Sequence, residues 1–298
     1  MRRRVGLLLR RNKPEAIDIA RELVAFLRAR GHAPVVLVGG ESTDDAIAAK
    51  QERDALRGLP DVPMLDAEQA GASLDLLIVL GGDGTILRGA AMVADDGVPI
   101  LGINLGTLGF LASAPPADAR VIVERALDGK LPLEERLRLR CELQLVSGEI
   151  IVRHAANDAV VSQGALARLI ELDVSVDDTS LVRYRADGLI VATPTGSTGY
   201  SLSAGGPIIA PDVRAVVLAP ICPHTLTNRP IVLPSTGRIT VTLASQADHV
   251  QLTIDGQWGQ RMAIGDRVVL SQASSPLYLF RAAQGHFGVL REKLRWGE

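Results

Sequence analysis

Short apolar runs alternate with amphipathic stretches through residues 1–132. Residues 5–9, 35–38, 74–80 and 98–103 are almost unbroken apolar runs, the pattern of strands covered on both faces. Pro14 opens a helix in the first-turn position that proline favours. Ile17, Ala20, Val24 and Leu27 supply its apolar stripe and Gly31 its stop. A charged helical segment spans 44–57, an apolar-periodic run covers 85–94, and a further helix covers 117–128. Strands alternating with helices predict a layered α/β domain with a parallel sheet, whose ligands sit at the carboxyl ends of strands. Beyond Pro132 the apolar positions fall into short pieces separated by turn residues: 139–146, 150–152, 169–176, 181–184, 188–192, 216–218, 239–243, 250–254, 268–270 and 277–280. That half predicts a mostly-β sandwich. The expected division is an α/β domain over 1–132, a β-sandwich domain over 133–285, and a segment 286–298 in which 287–296 forms a short helix that packs back on the first domain.

Composition narrows the partners. The 298 residues are 47% apolar and 22% charged with a formal charge of -2, so no global field recruits nucleic acid or a membrane surface. An anionic ligand must be held by local positive charge, and that charge is mostly arginine; lysine stands only at Lys13, Lys50, Lys130 and Lys293. Cys141 and Cys222 are far apart and in no metal spacing, which predicts a reduced, cytoplasmic compartment. The apolar run near the start is too short for a signal peptide, and no run reaches membrane-spanning length.

The candidate chemistry centres on Gly81-Gly82-Asp83-Gly84-Thr85, placed after the best predicted strand and before a helix. Glycines let backbone approach an anion, and a helix N-terminus points N–H groups and its positive dipole end at the same spot. An acid inside such a cradle is costly beside phosphate unless it holds a metal or takes a proton. One reading gives Asp83 that work on a hydroxyl attacking a phosphoryl group; the other makes it a turn aspartate satisfying its own backbone. Residues 102–109, Gly-Ile-Asn-Leu-Gly-Thr-Leu-Gly, lack the G-x-G-x-x-G spacing because Asn104 holds the second glycine's place, so a hydride-transferring Rossmann enzyme is disfavoured. Asn157-Asp158 before a strand could read an adenine edge or hold ribose hydroxyls, but two residues alone read first as a simple turn. Arg185-Ala186-Asp187-Gly188 leads into a strand and then into 194–207, a hydroxyl- and glycine-rich turn with a short helix that offers many donors to a polar ligand. Asp255-Gly256-Gln257 by itself is an ordinary hairpin turn. The five histidines form no i, i+4 metal pair, and neither a nucleophile elbow nor a Walker A sequence occurs.

Taken together, these motifs resemble the NAD kinase family. The residues are 81–85, Asn104 to Phe110, Asn157-Asp158, Asp187-Gly188, 194–207 and 255–257, in that family's order and across most of the chain. The glycine motif alone is shared with diacylglycerol and sphingosine kinases and phosphofructokinases; Pro-Thr-Gly-Ser-Thr followed by Ser-Leu-Ser-Ala-Gly-Gly-Pro is far more specific. The resemblance implies ATP-dependent phosphorylation of the 2′-hydroxyl on the adenosine ribose of NAD, giving NADP. It also implies a divalent cation such as Mg²⁺, NAD lying between an α/β and a β-sandwich domain, and a homo-oligomer, dimer or tetramer. By the family pattern Asp83 is the proton acceptor, with Gly84 beside it. Arg88, Asn157, Asp158, Arg168, Arg185, Asp187, Thr198, Gly199, Tyr200, Ser201, Leu202, Ser203 and Gln257 fall at binding positions, and no side chain is assigned as a metal ligand. Two positions depart from the pattern: Asp158 replaces the usual glutamate and Gly199 the usual alanine. The alternatives are a lipid or sugar kinase sharing the glycine motif, and a non-catalytic dinucleotide-binding regulator.

Overall fold

The computed structural model describes residues 2–11, 13–39, 59, 62–66, 70–106, 109–164, 169–225, 227–246, 249–281 and 284–295. The segment expected to be helical at 44–57 and the site candidate Arg168 lie outside them, as do Thr107 and Leu108. The chain divides into two compact units, Met1–Glu135 with Ser275–Glu298, and Arg136–Ser274.

In the first unit the strands are β1 (Arg4–Leu9), β2 (Ala33–Val38), β3 (Met64–Asp66), β4 (Leu76–Leu80), β5 (Ile100–Ile103) and β6 (Leu133–Arg136). Helices α1 (Pro14–Ala29), α2 (Asp83–Val93) and α3 (Ala119–Leu127) connect them. Pro14 stands at the start of α1 as its sequence position predicts, and Gly31, at φ 79°, makes the left-handed exit that glycine tolerates without strain. The β1–β2, β1–β4, β4–β5 and β2–β3 pairs are all parallel. Alternation along β1 and β4 sorts the layers. Leu7, Leu9, Ile78 and Leu80 join Ala20, Leu23 and Leu27 of α1 and Ile122 and Val123 of α3 in one core, while Gly89 of α2 lies against Leu8, Leu77 and Val79 on the opposite face.

The second unit is built from antiparallel pairs. Its strands are β7 (Leu139–Gln144), β8 (Ile150–Ala155), β9 (Asp158–Gln163), β10 (Ile170–Val176), β11 (Thr179–Ala186), β12 (Gly188–Ala192), β13 (Ala215–Ile221), β14 (Ile231–Pro234), β15 (Ile239–Leu243), β16 (Val250–Ile254), β17 (Trp258–Arg261) and β18 (Arg267–Gln272). One sheet runs β11-β10-β15-β18-β7-β8 and the other β14-β13-β12-β9-β16-β17. Alternate residues of both sheets share one core, including Leu143, Leu172, Val241 and Leu270 from the first and Val161, Leu189, Leu218 and Leu252 from the second. The short helix α4 (Tyr200–Ser203) follows β12.

One boundary differs from the sequence reading. The run 277–280, expected inside the second domain, is β19 (Leu277–Phe280), which pairs parallel to β5 and stands between β5 and β6 in the first unit's sheet. Ser113 Oγ donates to the Phe280 carbonyl at 2.7 Å, and the Arg281 N–H donates to the Pro132 carbonyl at 2.9 Å. The last helix, α5, is Gly285–Leu294. Among the described residues no helix is long and apolar enough to cross a membrane.

Gly188 begins the strand that aims the hydroxyl-rich turn. A Cβ there would lie 2.5 Å from the Val161 carbonyl oxygen and 2.9 Å from Ser162 Cβ, and backbone in a paired strand does not yield cheaply. Gly188→Ala therefore destabilises the fold by about 2 kcal/mol, a fall in Tm of roughly 5 °C by differential scanning calorimetry. An unchanged Tm would contradict this packing.

Candidate functional site

Each unit contains a carboxylate that accepts backbone N–H groups from a turn distant in sequence. In the first, β4 ends at Leu80 and Gly81-Gly82 turn the chain into α2, which begins at Asp83. Among the described residues no side chain caps the Gly82 end of α2. The Gly81 N–H donates to the Ile103 carbonyl at 2.9 Å and ties the turn to the end of β5. Among the described residues nothing lies within 4 Å of where a Cβ at position 82 or 84 would stand.

The Asp83 carboxylate does not close on its own turn. Oδ2 accepts the Phe110 N–H at 2.8 Å and Oδ1 accepts the Leu111 N–H at 3.1 Å. A Cβ on Gly109 would lie 2.0 Å from Oδ1, so a residue without one is required for the loop to come this close. The two glycine-rich turns that follow β4 and β5 are thus joined through Asp83. Two amide bonds use about half of the roughly four lone-pair sites of a carboxylate, which leaves capacity for a substrate hydroxyl. Asn104 folds the same loop, accepting the Gly106 N–H and donating to the Gly106 carbonyl, each at 3.2 Å. Lys293 of α5 places its ammonium 4.6 Å from the centre of the Phe110 ring. Arg88, a candidate ligand contact, is buried and donates from Nη2 to the Leu9 carbonyl at 2.7 Å, strapping α2 to the end of β1.

In the second unit the turn between β8 and β9 carries Ala156-Asn157-Asp158. Asp255, at φ 52° in the β16–β17 turn, accepts all three of their N–H groups: Ala156 at 2.8 Å on Oδ2, and Asn157 at 2.7 Å and Asp158 at 3.0 Å on Oδ1. The Asp255 N–H answers with a 2.9 Å bond to the Asp158 carbonyl. Thr193, at the end of β12, grips the same turn from the other side, its N–H on the Asn157 carbonyl at 2.8 Å and its Oγ1 on the Ala156 carbonyl at 2.7 Å. A Cβ on Gly196 would lie 2.1 Å from the Asn157 carbonyl oxygen, and one on Gly199 would lie 3.6 Å from Asn157 Nδ2 and 3.9 Å from Asp158 Oδ2. Asn157, Asp158 and Gly199 therefore meet at one spot. Nearby, Asn157 Oδ1, Thr195 Oγ1 and Ser201 Oγ are buried polar atoms without a hydrogen-bond partner among the described residues. Such atoms cost about 1–3 kcal/mol each unless something else satisfies them, and they suit a polyhydroxylated ligand.

Burial, then the nearby charge of Asp255, pushes the Asp158 carboxyl up to about 7. Burial also raises Asp255, opposed by its three amide bonds and by Arg138. Near neutral pH Asp158 exists in both forms, able to donate to or accept from a hydroxyl.

The other sequence candidates are more dispersed. Thr198 bonds back to the Thr195 carbonyl at 3.1 Å, Ser201 is fully buried, Leu202 is half-buried, and Tyr200 and Ser203 are exposed around α4. Gln257 shares the turn of Asp255. Arg185 stands exposed on the edge strand β11, its Nε 3.3 Å from Glu171 Oε1, and Asp187, between β11 and β12, donates its N–H to the Ile221 carbonyl at 3.0 Å and accepts the Gln163 N–H at 3.1 Å. The residue underrated from sequence is Asp255, whose Asp-Gly setting reads as a hairpin turn and nothing more.

Two family descriptions match the chain: ATP-NAD kinase N-terminal domain over residues 5–131 and ATP-NAD kinase C-terminal domain over residues 156–282. An NAD kinase of Geotalea daltonii is 43% identical over 298 residues, covering 99% of each chain. One of Koribacter versatilis is 41% identical over 295 residues, covering 99% of this chain and 98% of its own. A crystal structure of yeast NADH kinase complexed with NADH superposes with a TM-score of 0.86 at 30% identity, covering 100% of this chain and 89% of that one. A structure of an NAD kinase from Archaeoglobus fulgidus in complex with ATP has a TM-score of 0.74 at 24% identity over 98% of each chain and shares the fold.

The raised Asp158 carboxyl sets the sign of a pH effect on stability. Between its ordinary value near 4 and about 7, the folded chain holds a proton that the unfolded chain has released. Raising pH through that window therefore removes stability, and the full penalty stands above about 7. Asp158→Asn, neutral throughout, should raise Tm by roughly 5 °C or more at pH 8 and by little near pH 4. Equal shifts in thermal melts at both pH values would show that Asp158 is not held in this state.

Proposed function

The chain belongs to the ATP-NAD kinase family and phosphorylates NAD, and we propose that the acceptor is the 2′-hydroxyl of the adenosine ribose, with Asp83 taking its proton. The ribose oxygen forms a bond to the γ-phosphorus of ATP, the bond from that phosphorus to the β–γ bridging oxygen breaks, and ADP leaves. The observation that carries the role of Asp83 is its place at the head of α2, where two loop amides fix its carboxylate and leave lone pairs for a hydroxyl. The positive end of α2 and the close approach that Gly82 permits favour phosphate oxygen beside it. The matches run through both domains, which sets aside a lipid or sugar kinase that shares only the glycine motif.

The divalent cation enters as part of the MgATP substrate. Among the described residues no three His, Cys, Asp or Glu side chains gather as a metal cage, so phosphate oxygens and water would make up most of its shell. Bound there, the ion neutralises charge on the donor phosphates. The dinucleotide contacts fall to Asn157, Asp158, Arg168, Arg185, Asp187, Thr198 to Ser203 and Gln257; the buried polar atoms around Asn157 support this. A homo-oligomer, dimer or tetramer, completes the reading, supported by exposed Leu181 and Val232 on the edge strands β11 and β14. Light scattering after chromatography reads its mass.

Purified protein with NAD, ATP and Mg²⁺ should accumulate NADP phosphorylated at the 2′ position, read by chromatography and ³¹P NMR. Asp83→Asn should lower kcat by roughly 10² or more while NAD still binds by calorimetry, the size of a general-base contribution. Near wild-type turnover would remove Asp83 from the proton transfer.

A further inference from the structure

We infer that Asp255, which touches no substrate in this reading, is a positioning residue for NAD: its carboxylate fixes the backbone that carries Asn157 and Asp158. The inference rests on the reading that those two side chains contact the dinucleotide. Three converging N–H groups at 2.7–3.0 Å need a group that only accepts and offers two oxygens. Asparagine has one acceptor oxygen, so its amide NH₂ must face at least one N–H. A serine or alanine leaves two or three amides without this partner. The backbone of residue 255, at φ 52°, suits Asp, Asn or Gly, so Asp255→Asn changes the acceptor without straining the turn.

A local peg differs from general stability in where its loss is felt. The three amides span the turn that leads into β9, and the turn's other grip, Thr193, holds carbonyls and not N–H groups, so it cannot substitute. Loss of the peg frees the peptide planes of residues 155–158 and with them the directions of the Asn157 and Asp158 side chains. Small misplacements of positioned groups are expensive in binding and rate. The Asp255 charge has a second effect, since it is the like charge that acts on Asp158. Around this pair, Arg138 just before β7 acts on Asp255, and Cys141 on β7 is raised by burial and by both carboxylates. Removing the Asp255 charge therefore moves the Asp158 titration to lower pH.

The test compares Asp255→Asn, Asp255→Ala and Asn157→Ala in the full-length enzyme, with KM measured separately for NAD and ATP. Asp255→Asn should raise KM for NAD about tenfold, and Asp255→Ala more, with KM for ATP within about twofold of wild type. The midpoint of the pH dependence of kcat/KM for NAD should fall in Asp255→Asn. A role in stability alone would lower Tm and the active fraction while leaving KM for NAD and the pH midpoint unchanged, and that result overturns the inference. Asn157→Ala separates the two readings. Unchanged KM for NAD in that variant overturns the dinucleotide contact and the inference with it. A raised KM there with an unchanged KM in both Asp255 variants overturns the inference alone. If Asp255→Ala does not fold, Asp255→Asn decides.

Discussion

Backbone N–H groups in a turn have no ladder to pair with, and this constraint shapes both clusters. A partner must be found for each, or the turn carries a penalty of about 1–3 kcal/mol per buried amide. In each unit the partner is a carboxylate far away in sequence. Asp83 takes the amides of Phe110 and Leu111, and Asp255 takes those of Ala156, Asn157 and Asp158. Amide bonds to an ionised acceptor are roughly twice as strong as neutral ones. Each carboxylate thereby stiffens the turn whose amides it accepts. Yet the two differ in what remains afterwards. Asp83 keeps accessible lone pairs at a helix head, whereas Asp255 is used up by its turn, which is why one is assigned chemistry and the other geometry.

Much of the fold can be read from periodicity because it is the sort of signal that burial writes into a chain. The apolar runs of β1, β2, β4 and β5 are buried as their spacing predicts, as are Ala20, Val24 and Leu27 of the α1 stripe, while Ile17 is half-buried and Ala16 and Leu23 complete the buried face. What periodicity cannot carry is which sheet a short apolar strand joins. Leu277, Leu279 and Phe280 look like one more sandwich strand, and only pairing with β5 places them in the first unit. The short strands β3, Met64-Leu65-Asp66, and β17, Trp258-Gly259-Gln260-Arg261, are too brief to write an apolar run. The same limit governs the site. Asp83 announces itself because its glycines are adjacent in sequence. Asp255 does not, because its three partners lie 97–99 residues away. Arg88, which the family pattern puts at a binding position, is also buried and donates to the Leu9 carbonyl, a contact that its sequence neighbours do not announce.

The two departures from the family pattern belong to one place. Asp158 is a methylene shorter than the usual glutamate and Gly199 a methyl smaller than the usual alanine. A methyl on Gly199 would stand 3.9 Å from Asp158 Oδ2 and 3.6 Å from Asn157 Nδ2, so both losses remove volume around the same polar groups. That methyl would also press to 3.3 Å on the Gly196 carbonyl oxygen, a contact close enough that the turn would have to give. Glycine removes the pressure and lets Gly196 seat against the Asn157 backbone. The shorter carboxylate has a counterpart in charge. It stays near Asp255 and out of solvent, which holds its proton to about neutral pH. A longer side chain on the same backbone could reach further from Asp255, and distance weakens the like-charge repulsion that disfavours ionisation. Shortening the acid therefore changes more than reach: it couples the Asp158 carboxyl to the carboxylate that accepts its own N–H.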